Sequence, residues 1–271
     1  MTTTARSVAL VTGASSSIGY ATASALADAG YRVFGTSRKA GALGPASVTM
    51  LVCDVRDDTS VAAAVAQVVA ETGRIDLLVN NAGIGLMAAA EESSVEQAQH
   101  LFDINVFGVM RLTRAVLPIM RQQARGRIVN LSSVLGLIPA PFSALYAATK
   151  HAIEGYSESL DHEVRTQGIR VVLVEPAYTR TSFETNVIQP DQMLPVYDDA
   201  RVAMSGVMLA ALESGDAPEV VADAVVLAAT APRPKHRYAA GKMARQVRLL
   251  RRFVPESAFD KSLRKQNGLP V

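Results

Sequence analysis

The strongest constraint on this chain is an alternation. Short β-branched apolar runs are separated by longer stretches with helical spacing. Residues 7–12, 32–36, 48–53, 75–80, 127–132 and 169–175 have the length and Val/Ile/Leu content of buried strands. Between them, residues 18–29, 59–71, 94–103, 104–123 and 143–167 carry helical patterns, and Gly30, Gly73 and Gly168 stand where three of them stop. Strands alternating with helices form βαβ units with right-handed crossovers. The expected fold class is therefore α/β, a doubly wound parallel sheet with helices on both faces. The chain has no Trp and only 5% aromatic residues, so the core must come from Val, Ile, Leu and Ala. No linker-like tract or internal repeat interrupts the pattern, so residues 1–271 are expected to form a single domain.

Beyond Pro176 the pattern loosens. Residues 179–214 hold prolines, polar residues and one helical stretch at 198–212. They follow the carboxyl end of a strand, where open α/β sheets bind ligands, and so form a candidate substrate lid. A helix at 218–230, a seventh strand at 236–240 and two helices at 241–254 and 257–266 complete the expected elements, with 231–271 as a variable C-terminal region.

Charge and cysteine content narrow the function classes. Twenty-seven basic residues oppose 25 acidic ones, a net charge of +2 that gives no concentrated basic surface for nucleic acid. The one cysteine, Cys53, excludes an intrachain disulfide and fits a cytoplasmic protein. The N-terminal apolar run is too short for a signal peptide, and no stretch of about 20 apolar residues exists to span a membrane. Residues 242–252 carry Arg245, Arg248, Arg251 and Arg252 among apolar neighbours. Such a helix packs on its own domain or rests on an anionic membrane, and both readings stay open.

Thr12-Gly13-Ala14-Ser15-Ser16-Ser17-Ile18-Gly19 joins the first strand to the first helix. There Gly13 permits a tight turn and Gly19 close packing, while the free N–H groups of the helix start face a pyrophosphate. The turn resembles the TGxxxGxG motif of the short-chain dehydrogenase/reductase family, a Rossmann-like fold. Ser17 stands at the family's middle glycine, which is tolerable if its φ is negative. After the second strand comes Ser37-Arg38-Lys39, with no acid to hold a ribose 2′-hydroxyl. Arg38 can pair with a 2′-phosphate instead, which favours NADP(H); the plainer alternative is a solvated arginine. The resemblance further implies that Asp54, with Val55, borders the adenine and that Asn80-Asn81-Ala82-Gly83 is the family's NNAG turn beside the cofactor. Pro176-Ala177-Tyr178-Thr179-Arg180-Thr181 resembles its Pro-Gly motif, with Ala177 in place of glycine. By that resemblance Thr181 bonds the nicotinamide carboxamide, and the backbone near Thr179 lies against it.

Tyr146 and Lys150 are four residues apart on one helix face, Ser133 follows the fifth strand, and Asn105 lies early in a helix. Together they match the family's Asn, Ser, Tyr-xxx-Lys tetrad, and the resemblance covers residues 6–181. The chemistry suits the residue types. A ketone oxygen that gains a hydride needs a proton, which Tyr146 can donate. A free tyrosine has a pKa of about 10. Lys150 and an oxidised nicotinamide, both cationic, are expected to lower it. Ser133 can hold the substrate oxygen. Asn105, by resemblance, holds a water that connects Lys150 to solvent. No His/Cys cluster calls for a metal.

The expected activity is an NADP(H)-dependent interconversion of a ketone or aldehyde and an alcohol. The pocket is expected between residues 133–142, the Pro176 loop and the lid, with Leu135, Leu137, Ile138, Pro139, Phe142, Phe183, Met193 and Met204 as candidate lining. That lining implies an apolar small-molecule substrate. The layout is similar to the hydroxysteroid and retinol dehydrogenase side of the family, whose members form homodimers or homotetramers. Two rivals remain: a catalytically silent NADP-binding sensor, and a nucleotide-sugar epimerase or dehydratase on the same fold.

Overall fold

The computed structural model describes residues 6–181 and 187–268. A seven-stranded parallel sheet forms its centre. In chain order its strands are β1 (Val8–Val11), β2 (Arg32–Ser37), β3 (Val48–Val52), β4 (Leu77–Asn80), β6 (Gly126–Leu131), β7 (Ile169–Pro176) and β9 (Arg237–Ala240). In space the order is β3-β2-β1-β4-β6-β7-β9, so the winding reverses between β1 and β4. Two two-residue strands, β5 (Gly85–Leu86) and β8 (Val187–Ile188), pair separately and in parallel.

Helices cover both faces. One face packs α2 (Asp58–Thr72), α3 (Val95–Phe102), α4 (Gly108–Gln122) and α5 (Ala144–Val164); the other packs α1 (Ser17–Asp28) and α7 (Pro218–Thr230). Three more helices, α6 (Asp198–Glu213), α8 (Gly241–Phe253) and α9 (Glu256–Gln266), lie beyond the carboxyl ends of the strands. Strands buried on both sides need apolar residues in succession, and β1, β4 and most of β7 are buried at each position. The doubly wound sheet expected from the alternation is thus present.

Two boundaries differ in an instructive way. The helical stretch expected to begin at Ile104 is one rod with its predecessor: a π-turn at Asp103–Phe107 joins α3 to α4. Asn105 therefore sits inside a bulge, not at a helix start. The long helix expected over 143–167 ends at Val164, followed by a 3-10 turn that closes on Gly168 in the left-handed conformation.

Candidate active site

The first strand and helix meet at a turn that only glycine can make. Gly13 has a φ of 67°, and a Cβ there would stand 3.1 Å from Ala82 Cα. A Cβ on Gly19 would overlap the Gly13 carbonyl oxygen. The turn is held from the fourth strand: Asn81 Nδ2 donates to the Thr12 carbonyl at 2.9 Å, and the amides of Asn81 and Ala82 both donate to Thr12 Oγ1 at 2.9 Å. Thr12 is thus the hinge of the cradle, a role that a motif counted from its glycines conceals. Asn80 ties the sheet together instead, donating to Asn130 Oδ1 at 2.8 Å.

Ser17 departs from expectation. Its φ is +51°, not negative, so an L side chain occupies the left-handed region where the family motif has glycine. Ser15, Ser16, Ser17 and Ile18 all face one cavity of about 770 Å³ at the point where the strand order reverses. Its far end is bordered by Arg38, Asp54 and Val55. Arg38 is exposed at the end of β2. Asp54 is bound to Arg56, whose Nε and second terminal nitrogen lie 3.1 and 2.7 Å from its oxygens. That pairing holds the Asp54 carboxyl down at about 2.

The same cavity reaches Ser133, Tyr146 and Lys150. Ser133 leaves β6 with extended backbone and caps the short turn at Val134–Gly136, its Oγ accepting the Leu135 N–H at 3.1 Å. Tyr146 and Lys150 come from the first two turns of α5. The Ser133 hydroxyl is bonded to that of Tyr146. Lys150 is buried; its Nζ donates to the Leu131 carbonyl at 2.9 Å and lies 5.5 Å from the Tyr146 ring centre.

Burial governs both Tyr146 and Lys150 in the chain by itself. Burial pushes the Tyr146 hydroxyl above the ordinary tyrosine range, and only the Ser133 bond works against it. Burial also pushes Lys150 down to about 8, opposed by Glu154. Burial, not charge, thus sets the direction for both side chains.

Asn105 is placed differently from the other candidates. It is 2% exposed and does not border the cavity. Its Oδ1 accepts the Ile84 N–H and its Nδ2 donates to the Ile84 carbonyl, both at 2.9 Å, with Thr149 Oγ1 at 3.3 Å. Its side chain thereby fixes the segment that follows Gly83.

Pro176, Ala177, Thr179 and Thr181 close the cavity beyond β7. Arg180 and Tyr178 exchange backbone bonds with Asp216, which stakes this loop to the chain after α6. Of the expected apolar lining, Leu135, Ile138, Pro139 and Met204 border the cavity. Leu137 and Phe142 do not, Met193 is exposed, and Phe183 lies outside the described residues. Val207 and Met208 of α6, Met243 and Val247 of α8 and Leu263 of α9 extend the wall. The α8 residues thus follow the first of the two readings of that helix, packing on their own domain. Their contribution depends on long-range folding that no local pattern announces. Among the described residues there is no cluster of metal-ligating side chains and no helix long and apolar enough to cross a membrane.

The comparisons with known proteins agree with this geometry. A family model described as short chain dehydrogenase matches residues 7–192. A 3-ketodihydrosphingosine reductase of Bacteroides thetaiotaomicron is 44% identical over 179 residues, 66% of either chain. Human 17-beta-hydroxysteroid dehydrogenase type 1 is 35% identical over 86% of this chain and 77% of its own. A short-chain dehydrogenase structure from Streptomyces avermitilis superposes with a TM-score of 0.83 at 33% identity, covering 98% of this chain and 99% of that one. Two Burkholderia structures of the same class contain nucleotides. The B. phymatum protein with NAD has a TM-score of 0.79 at 28% identity, covering 92% and 94% of the two chains. The B. cenocepacia protein with NADP has a TM-score of 0.76 at 26% identity, covering 96% and 98%. With the matched family model spanning the cradle, the Ser133 turn and the Tyr146–Lys150 helix, the chain belongs to the short-chain dehydrogenase/reductase family of oxidoreductases.

Proposed function

We propose that the protein is an NADP(H)-dependent carbonyl reductase or alcohol dehydrogenase acting on an apolar substrate. The observation that carries this reading is the bond between Tyr146 and Ser133 in the cavity that also holds the Gly13–Gly19 cradle. The cradle fits a dinucleotide: a side chain at Gly19 would collide with the Gly13 carbonyl and one at Gly13 would be strained at its positive φ, so glycine at both lets the turn close beside the N-terminus of α1, where phosphate binds. Arg38, exposed at the end of β2, supports a 2′-phosphate and hence NADP over NAD.

When bound, the nicotinamide exchanges a hydride with the substrate carbon. The chain's own residues manage the oxygen. Ser133 Oγ receives the substrate oxygen and Tyr146 gives it a proton as charge develops. A phenol kept protonated by burial suits the reducing direction. Lys150, held by the Leu131 carbonyl, keeps a positive charge beside the ring and carries the proton's replacement. Thr181 and the backbone at Thr179 border the cavity where the carboxamide is expected. The Asn105 side chain is assigned to holding Ile84, since its amide is committed there.

An apolar substrate body fits the wall of Met204, Val207, Met208, Met243, Val247 and Leu263. The names of the two relatives, a ketodihydrosphingosine reductase and a hydroxysteroid dehydrogenase, suit that class. Residues 179–214 serve as the lid and 231–271 as a substrate-facing wall of the single domain. The lid is clasped by Arg201 of α6, which pairs with buried Glu92. We assign the protein to the cytoplasm, as a homodimer or homotetramer joined through α4 and α5.

The test follows NADPH and NADH absorbance with a panel of apolar ketones and aldehydes, beside Tyr146→Phe. Consumption of NADPH that Tyr146→Phe abolishes is the expected result. A preference for NADH overturns the Arg38 assignment, and no turnover despite NADPH binding overturns the catalytic one.

A further inference from the structure

Glu92 closes the short turn at Ala90–Glu92 and is 1% exposed. A buried carboxylate is costly unless its oxygens are bonded, and both of these are. Oε2 accepts the Ala89 N–H at 2.9 Å, within its own turn. Oε1 accepts the Leu194 N–H at 2.8 Å and is paired with the Arg201 guanidinium, so its partners lie far along the chain. The Glu92 carbonyl oxygen also accepts the Gln192 N–H, at 3.1 Å. One buried residue thus gathers three donors from the lid.

Other bonds follow the same seam, but on its wet side. Asp191 accepts from the Ser94 N–H at 3.1 Å, Gln97 Nε2 donates to the Gln189 carbonyl at 2.7 Å, and the Tyr197 hydroxyl donates to Glu91 Oε1 at 2.6 Å. Tyr197 also meets the Phe142 ring edge-on, with centroids 6.1 Å apart. Residues 191–193, 195 and 196 are exposed, Met193 and Val196 among them. A segment with so little apolar burial is held by its polar bonds. Bonds at an exposed edge exchange readily with water, whereas those at Glu92 are shielded from it. What the seam holds is the cavity wall. Arg201, Met204 and Met208 share one face of α6 at positions i, i+3 and i+7. Both methionines border the cavity, and Met204 is buried. Arg201 grips the first turn of α6 as well, through Asp198 Oδ1 at 2.6 Å.

We propose that Glu92 is the positioning residue for substrate selection: it anchors Arg201 and the lid backbone, and so holds Met204 and Met208 where a long apolar substrate must rest. This rests on the proposed reduction of an apolar carbonyl in the cavity. Glu92 does not border the cavity, so it acts only through the wall it fixes. A short carbonyl held at Ser133 and Tyr146 makes no use of α6. A long one draws part of its binding from the two methionines and loses it when they are free to move. The effect of Glu92 therefore scales with substrate length and leaves the chemistry at Tyr146 alone.

Two readouts on the full chain test this, one of them without turnover. Amide hydrogen exchange followed by mass spectrometry reads the anchor. Glu92→Gln is expected to speed exchange across residues 192–201 by about tenfold or more, with β1 and β6 unchanged. Steady-state rates with a short and a long-chain methyl ketone read the wall. Glu92→Gln is expected to raise KM for the long ketone by about tenfold, with kcat kept, and to leave the short ketone unaffected. Asp198→Asn, which removes the exposed partner of Arg201, is expected to change neither readout by as much as twofold. Unmoved exchange in Glu92→Gln overturns the proposal. So does an equal loss on both ketones, a fall in kcat, or an Asp198→Asn effect as large as that of Glu92→Gln. If Glu92→Gln does not fold, Arg201→Met breaks the same pair from the lid side and must give the same pattern. If neither ketone is turned over, the enzymatic reading has failed and exchange alone decides; failure of the anchor would leave turnover of the short ketone standing.

Discussion

Asn105 closes a two-bond ring on Ile84, accepting its N–H and donating to its carbonyl across 2.9 Å each. The ring is possible because Asn105 sits in the π-turn between α3 and α4, where an extra residue turns the amide toward the strand end. Replacing Asn105 by Ala strips both Ile84 groups in a site where water has little access. A stability loss of about 2–4 kcal/mol is expected. Urea unfolding measures it, and a loss under about 1 kcal/mol would remove the bracing role.

Ser17 pays for its place in the cradle with a φ of +51°. A non-glycine residue in that region costs roughly 1–2 kcal/mol. Ser17→Gly is expected to recover about 1 kcal/mol of stability and to keep or improve dinucleotide affinity, read by thermal unfolding and by NADPH fluorescence. Gly19→Ala, two residues further on, is expected to abolish binding because its Cβ overlaps the Gly13 carbonyl.

The parts legible in sequence were those written locally. Glycines at 13 and 19 and the Tyr146–Lys150 spacing carry their geometry within a few residues, and the sheet follows from apolar runs that must be buried on both faces. Parts that depend on distant packing were not legible. Met243 and Val247 look like any amphipathic helix until α8 folds over the strand ends. The sign of the Ser17 φ is set by contacts with the turn, not by the serine. The Tyr146 environment depends on burial, which a motif does not encode.

The Tyr146 hydroxyl sets the expected pH response of turnover. Burial holds it above the ordinary range, so the proton needed for reduction is present throughout neutral pH. Reduction is expected to stay level from about pH 6 to 7 and to weaken towards pH 8 as Lys150, pushed down to about 8, loses its charge, while oxidation climbs with pH, since it needs the phenolate. Ser133 is the group that lowers Tyr146. Ser133→Ala should therefore move the rise in oxidation to higher pH while cutting kcat by roughly 10²–10³-fold. Steady-state rates in both directions across pH check this, and an oxidation limb that moves to lower pH would reverse the assignment.

Two buried acids on the two sides of the α5–β7 contact should mark opposite pH windows of stability. Asp161 is held by Arg170 Nε at 2.9 Å, by Arg165 and by the Val171 N–H at 2.8 Å. Against the cost of burial, these partners bring its carboxyl from 3.8 to about 2. A depressed carboxyl stabilises the fold above its unfolded pKa, and that contribution, about 2 kcal/mol, is lost as pH falls from 4 towards 2. Glu175 has the opposite sign, raised from 4.5 to about 7 chiefly by burial, with Glu154 adding to it. The folded protein prefers it protonated, so it costs nothing below pH 4.5 and its full penalty above pH 7. Glu175→Gln, which keeps the shape and removes the charge, is expected to gain about 2 kcal/mol at pH 8 and nothing at pH 4. Asp161→Asn is expected to lose stability at pH 7 and to narrow its deficit as the pH approaches 2. Urea midpoints measured at these pH values decide both, and a Glu175→Gln gain that is equal at pH 4 and pH 8 would mean that packing, not charge, sets its effect.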